Sequence, residues 1–384
     1  VEKQNAQARR WLISTCMMIL VALAAALYPL ASPVLPALAQ SNYVIHVSVD
    51  GLGSSYLQAL MNAGRARSFA RLFREGASTL NARTDYDVTL TLPNHTSQLT
   101  GRPVNDKYGD SASGHHWITN VTPEQGVTLH ANRGFYNGGA FDVAHDHGLN
   151  TALYASKDKF VLFENSWNAI NGAQDTIGAD DGRDKIDTYL NASLDATAMF
   201  SAFQAHMQSN PARYTFIHFD SPDTAGHYFG WGSAQYTNAV VLVDEFIGQL
   251  LAIINTKPAL KNNTHIVLTA DHGGIGNDHS DSTLAINYTV PFMVWGPGIQ
   301  AGADLYAMNG SNTIDPGTSR IDYSLTSPQP IRNGDAGNCA LRLLGLPAIP
   351  GSSLDHLRSV CWWRPSMPPL ADLPFKSFMP FMSR

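Results

Sequence analysis

Cysteine is scarce in this 384-residue chain, which has three and so has room for one disulfide at most. Basic runs are missing altogether, and the formal charge is −6. A surface built to coat nucleic acid is thereby excluded, because counterion release needs clustered Lys and Arg. No internal repeat and no low-complexity linker divides the chain, so a string of small modules is not expected. Charged residues are only 15% against 44% hydrophobic, a composition suited to a well-cored globular protein. The length fits one large α/β domain or two small ones.

The N-terminal stretch has the composition of a targeting signal. Arg9-Arg10 precede an apolar run from Trp11 to about Leu30, and Ala37-Leu38-Ala39 supplies a small-x-small cleavage pattern. A membrane span is the competing reading. Pro29, Pro33 and Pro36, with no basic flank after them, favour a cleaved signal over residues 1–39 and no stable membrane span afterwards. Arg9-Arg10-Trp11-Leu12-Ile13 also resembles a twin-arginine signal. Val at position 1 fits an alternative bacterial start codon and equally a trimmed chain. The expectation is an exported protein, periplasmic or extracellular, from a bacterium. Loss of residues 1–39 removes Lys3, Arg9, Arg10 and Glu2 and takes the formal charge to about −8. Cys16 leaves with the signal, and Cys339 and Cys361 remain either as a disulfide or as two buried thiols.

Five short apolar runs predict strands: Val44–Val49, Thr151–Tyr154, Tyr214–Phe219, His265–Thr269 and Val290–Trp295. Between them lie helical stretches at roughly Ser55–Glu75, Gly139–His147, Asp184–Met207 and Ala234–Asn255. This alternation predicts an α/β fold with a mostly parallel central sheet and helices on both faces, over residues 40–361. In such sheets ligands collect beyond the carboxyl ends of the strands. The proline-rich stretch 362–384 is expected to be an irregular tail.

Metal-seeking side chains fall at that edge. Asp50-Gly51 ends the first strand, Pro222-Asp223-Thr224-Ala225-Gly226-His227 follows the third, and Asp271-His272-Gly273-Gly274 follows the fourth. His279 stands in a loop shortly after. Taken singly, Asp50 is an ordinary strand-to-turn residue and His279 an ordinary loop histidine. Several such signals at one sheet edge point instead to two divalent metal ions, expected to be zinc, positioned for phosphoryl transfer. Thr91 opens a helix in Thr91-Leu92-Pro93-Asn94-His95, either as a plain N-cap or as a nucleophile whose pKa is lowered by zinc and the helix N-terminus. Lys157, just past the second strand, is placed to reach a substrate oxyanion. Asp180-Asp181-Gly182 with Asp184 suggests either a calcium loop or a solvated turn.

The segment Thr91-Leu92-Pro93-Asn94-His95, followed by Leu99-Thr100-Gly101, resembles the nucleophile segment of the nucleotide pyrophosphatase/phosphodiesterase family, within the alkaline phosphatase superfamily. The metal motifs match too, across about residues 43–300. The resemblance implies an alkaline-phosphatase-like fold. It also implies one zinc held by Asp223, His227 and His279, and another by Asp50, Asp271, His272 and the Thr91 oxygen. The family uses an asparagine to bind a phosphate oxygen, and His115-His116-Trp117-Ile118-Thr119-Asn120 makes Asn120 the candidate. Two departures stand out. The loop carrying His279 differs from the family's usual sequence, and no nucleobase-binding aromatic pair can be placed.

The resulting expectation is a hydrolase of phosphodiester or pyrophosphate bonds in a small phosphate ester, acting through a phosphothreonine. Phosphomonoester hydrolysis is the alternative on the same site. Sulfate ester hydrolysis fits less well, because the sulfatase pattern wants Cys or Ser at position 91 and Arg at position 95. A binding protein that kept the scaffold is the reading from a different class. The sequence sets no oligomeric state.

Overall fold

The computed structural model describes residues 43–175, 182–324 and 328–361. The leader, the tail and Asp180-Asp181 of the acidic loop lie outside the described residues. Eight strands form one sheet: β1 (Tyr43–Val49), β2 (Ala77–Arg83), β3 (Thr151–Ala155), β4 (Thr188–Asn191), β5 (Tyr214–Phe219), β6 (Thr264–Thr269), β7 (Thr289–Trp295) and β8 (Ala303–Asp304). Their order is β4-β3-β5-β1-β6-β7-β2-β8. All neighbours pair in parallel except β7, which runs antiparallel to both β6 and β2. The sheet is thus mostly parallel, as the alternation of strands and helices predicts.

Every residue of β3, β5 and β6 is buried, as is all of β1 except Tyr43, so both faces of the centre are covered. One group of helices comprises Ser54–Asn62, Arg67–Glu75, Ala196–Ser209, Ser221–Phe229 and Ala234–Thr256. A second comprises Thr91–Thr100, Ala140–Asp146 and Ala336–Leu343. Ala234–Thr256 is long and apolar enough to cross a membrane by length and composition. Here it is a core helix: Val240, Val243, Ile247, Leu250 and Ile254 are buried on one face. Beside them Asp244 accepts the Phe69 N–H at 2.8 Å.

Two helical expectations need correction. Ser55–Glu75 is two helices, because Gly64 takes a positive φ of 70° just after the first and ends it. Asp184–Met207 begins with the edge strand β4, and its helix starts only at Ala196, capped by Asp195. The structure also pairs Cys339 with Cys361 in a disulfide.

The register positions the chemistry. Ser48 lies opposite His218 on β5 and Thr269 on β6, so Asp50, Asp220 and Asp271 leave the sheet side by side at its carboxyl edge.

Candidate active site

Asp50 follows β1 directly and is fully buried. The next residue, Gly51, has φ of 72°, and a Cβ there would sit 2.9 Å from the Asp223 Cα. Only glycine lets these two chains approach so closely. Asp223 and His227 follow β5 directly, as their sequence suggested. They occupy one face of the helix Ser221–Phe229, four residues apart, with Pro222 in its first turn. Asp271 and His272 lie just past β6, and Asp271 Oδ1 accepts the N–H of Gly51 at 3.0 Å and of His272 at 2.9 Å. Thr91 is the first helical residue, with Leu90 at the cap position, and its side chain makes no capping bond. That disposes of the plain N-cap reading.

These side chains gather into two groups whose donor atoms lie within 4.8 Å of one another: Asp223, His227 and His279, and Asp50, Asp271 and His272. Thr91 Oγ1 is 3.4 Å from His272 Nε2, beside the second group.

All three histidines are oriented in the same way. Nδ1 of His227 meets the Asn277 carbonyl at 3.0 Å, Nδ1 of His272 the Gly273 carbonyl at 2.8 Å, and Nδ1 of His279 the Thr89 carbonyl at 2.6 Å. Each Nδ1–H is committed to a carbonyl, so each Nε2 is left to present a lone pair inward. Nε2 of His227 and of His279 stand only 3.2 Å apart. Around them Asp50 Oδ1, Asp223 Oδ1 and Asp271 Oδ2 are buried with no hydrogen-bond partner among the described residues. Three inward lone pairs and three orphaned carboxylate oxygens are the donor set a pair of divalent cations requires.

The electrostatics agree. Burial would lower the His272 pKa, but Asp271, Asp223 and Asp50 outweigh it and raise it to about 9. Burial and the neighbouring His272 charge push the stacked His279 down to about 3. Burial and Asp50 push Asp271 up to about 6. The pocket therefore calls for positive charge while having room for only one imidazolium.

Lys157 supplies part of that charge in a way the sequence did not suggest. Its Nζ bridges Asp50 Oδ2 at 2.7 Å and Asp223 Oδ2 at 2.5 Å, rather than standing free for substrate. Burial favours neutral Asp50, yet Lys157, with His218 and His272, holds its carboxyl well below the usual range. His218, also absent from the sequence reading, donates or shares a proton with Asp50 Oδ2 at 2.9 Å. Each bridged carboxylate thus has its outer oxygen occupied and its inner one open.

Asn120 lies beside the start of the Thr91 helix, its Oδ1 accepting the Leu92 N–H at 3.0 Å. Lys159 Nζ donates to the same oxygen at 3.2 Å. His95 is buried beneath, between the Thr91 carbonyl at 2.8 Å and Ser48 Oγ at 2.9 Å, with its Nδ1 3.6 Å from Asp271 Oδ2. Trp231 is the remaining unforeseen member. Its ring fills a slot where a Cβ at Gly226 would come within 2.6 Å and one at Gly274 within 2.2 Å, and its Nε1 donates to the Gly51 carbonyl at 2.9 Å. It packs edge-on to His227 and His279 and so fixes both rings.

Residues 44–311 match the family model of type I phosphodiesterase / nucleotide pyrophosphatase. The chain belongs to that family. It is a phosphoric ester hydrolase by this membership, and its fold is that of the alkaline phosphatase superfamily. Murine ectonucleotide pyrophosphatase/phosphodiesterase 5, solved as an inactive variant in complex with AMP, is similar at a TM-score of 0.52 and 14% identity, over 83% of this chain and 99% of that one. Alkaline phosphatase PafA is similar at a TM-score of 0.54 and 12% identity, over 85% and 100%. At such identities the likeness is one of fold. Among curated proteins, GPI ethanolamine phosphate transferase 1 of Yarrowia lipolytica is 28% identical over 134 residues, which is 34% of this chain and 13% of that protein. In this type I phosphodiesterase / nucleotide pyrophosphatase family member, the structure gathers Asp50, Asn120, Asp223, His227, Asp271, His272 and His279 near Thr91, with Lys157 and Lys159 beside them.

Proposed function

We propose that this chain is an exported two-zinc hydrolase that cleaves phosphodiester or pyrophosphate bonds of a small phosphate ester through a phosphothreonine at Thr91. One observation carries the reading: three imidazole Nε2 atoms and three orphaned carboxylate oxygens converge beside a buried threonine at a helix start. Asp223, His227 and His279 would hold one cation, and Asp50, Asp271 and His272 the other, with Thr91 beside it. Imidazole and carboxylate donors without thiolate suit zinc. Bound there, two divalent cations would supply the charge that lowers the Thr91 hydroxyl pKa and offsets negative charge on phosphate and leaving group.

The chain's own residues do the rest. Thr91 Oγ1 attacks phosphorus in line, forming the O–P bond as the bond to the leaving oxygen breaks. Asn120 Oδ1 is held by the Leu92 N–H, which turns its amide NH2 toward a non-bridging phosphate oxygen. The helix N-terminus contributes a positive field at the same place. Lys157 and His218 keep Asp50 charged and immobile. Water then cleaves the P–Oγ1 bond, releasing a phosphate monoester that keeps the second substituent and restoring the hydroxyl. Export is supported by the leader-like residues 9–39 and by the Cys339–Cys361 disulfide, which suits an oxidising compartment.

The test is acid quenching during turnover of bis-p-nitrophenyl phosphate, followed by peptide mass analysis. The zinc-loaded chain should carry a p-nitrophenyl phosphoryl group on Thr91. Thr91→Ala should lose at least about 10³-fold in kcat/KM while keeping its zinc. A phosphorylated residue elsewhere, or loss of zinc with the hydroxyl, would overturn the assignment.

A further inference from the structure

The floor beneath Thr91 is polar where an apolar core is expected. Thr91, His95 and Gln98 stand at i, i+4 and i+7 on the helix Thr91–Thr100, so they share one face. That face meets His46 and Ser48, which share one side of β1. All five residues are buried. Their contacts run in one line. Tyr214 Oη lies 3.2 Å from His46 Nδ1, and His46 Nε2 lies 3.2 Å from Gln98 Oε1. Gln98 Nε2 is 3.1 Å from Ser48 Oγ, which is 2.9 Å from His95 Nε2. His95 Nδ1 then reaches the Thr91 carbonyl at 2.8 Å, with Asp271 Oδ2 at 3.6 Å.

Chemistry gives this line a single polarity. A carbonyl only accepts, so His95 Nδ1 carries the proton, and in a neutral ring Nε2 is left to accept. Full burial favours the neutral ring. The Ser48 hydroxyl therefore donates to His95 and accepts from the Gln98 amide. Gln98 Oε1 accepts from His46 Nε2–H, and His46 Nδ1 accepts from the Tyr214 hydroxyl. Five donors in succession point toward Thr91, and bonds aligned head to tail polarise and strengthen one another.

We propose that His95, Ser48 and Gln98 are positioning residues for the hydrolysis: their one-way chain locks the nucleophile helix to β1, so that Thr91 keeps its place against Asp50 and Asp271. The inference rests on the phosphodiester or pyrophosphate reading above. An apolar contact between helix and strand can slide and re-pack, because one methyl fits against another. A directional chain has one register, since shifting the helix would set donor against donor. Ser48 comes two residues before Asp50, and His95 one turn after Thr91. The chain thus joins the strand that ends at Asp50 to the helix that begins with the nucleophile. The His95 ring also stands edge-on to His218, 5.0 Å away, and His218 bonds Asp50 Oδ2. Buried beneath Thr91, the three residues act through the distance from Thr91 Oγ1 to phosphorus, on which in-line attack depends steeply.

The experiment compares wild type, Ser48→Ala, Ser48→Thr and Gln98→Met, all zinc-loaded. It measures kcat and KM on bis-p-nitrophenyl phosphate, zinc content and melting temperature, and it records nitrogen NMR spectra of labelled histidine. In wild type the His95 signals, identified by their absence from His95→Gln, should show a protonated Nδ1 and a bare Nε2. A protonated Nε2 would overturn the chain. Ser48→Ala should lose about 10-fold in kcat, with KM within about twofold and zinc unchanged. Gln98→Met should lose about threefold, because it breaks the chain one link further from Thr91. Ser48→Thr keeps the hydroxyl and should recover most of the rate. An unaltered kcat in Ser48→Ala, or a loss carried by KM or by zinc content, would overturn the positioning role. Should Ser48→Ala fail to fold, Gln98→Met decides by the same split. Wild type that hydrolyses no phosphate ester would sink the hydrolase reading and the rate role with it, a failure visible before any variant is compared.

Discussion

Two clusters of three buried aspartates and one lysine lie at opposite edges of the sheet. At the carboxyl edge are Asp50, Asp223 and Asp271 with Lys157. Beside the start of β3 are Asp142, Asp146 and Asp175 with Lys185, whose carbonyl accepts the Thr151 hydroxyl at 2.7 Å. Both are candidate metal groups by spacing alone. They differ in what occupies the centre. In the second cluster the fully buried Lys185 ammonium sits 2.6 Å from Asp146, 3.2 Å from Asp175 and 4.0 Å from Asp142. No imidazole belongs to this cluster among the described residues. In the first, the ammonium stands to one side, three imidazole nitrogens face inward, and one oxygen of each aspartate is open. Three carboxylates therefore do not make a metal site. Open oxygens together with nitrogen lone pairs do, and a central lysine turns the same acids into a structural ion cluster.

The largest expected effect breaks the comparison at the metal end. Dialysis against dipicolinate should cost at least about 10³-fold in activity, and zinc should restore it. Retention of activity by a chain shown to be metal-free would erase the distinction between the clusters. Next, Lys185→Met should leave zinc content unchanged but destabilise the fold by about 3–5 kcal/mol in urea unfolding, because it strands buried carboxylates. Lost zinc with unchanged stability would invert the assignment of the two clusters. The smallest effect is in pH dependence. Burial and the nearby Asp175 carboxylate push the Asp142 pKa up to about 7. Its native form binds a proton that the unfolded chain has released, so stability should fall as pH rises from about 4 to about 7. Asp142→Asn should flatten that limb of the stability profile, and an unaltered slope would remove Asp142 as its source.

The first cluster was largely legible in the sequence because its ligands come in short local motifs, each ending or following an apolar run. Asp50-Gly51, Asp223 with His227 and Asp271-His272 need no knowledge of strand order to be noticed. The alternation of strands and helices likewise gave the sheet. Lys157 and His218 were not legible in these roles, since only the order β3-β5-β1 brings them to Asp50. Trp231 read as one more core aromatic until its slot between two glycines was visible. The missed strands have physical reasons as well. β2 is polar, with a register shift between Thr79 and Ala82, and β4 is a half-buried edge. The second cluster gave no signal at all, because its aspartates and Lys185 meet only after the helix Ala140–Asp146 packs beside β3.

The helix that carries Thr91 is buried along all ten of its residues, and much of its cover comes from the far end of the chain. Asn333 donates to Asn94, Gly334 lies against Ser97, and Gly337 lies against Gln98, just before the loop that the Cys339–Cys361 bond closes. During synthesis, nascent chain that stops short of residue 333 has Thr91 but lacks this part of its cover. Catalytic competence is then a property acquired late, once residues 333–337 have been made. The enzyme is silent for most of its own making.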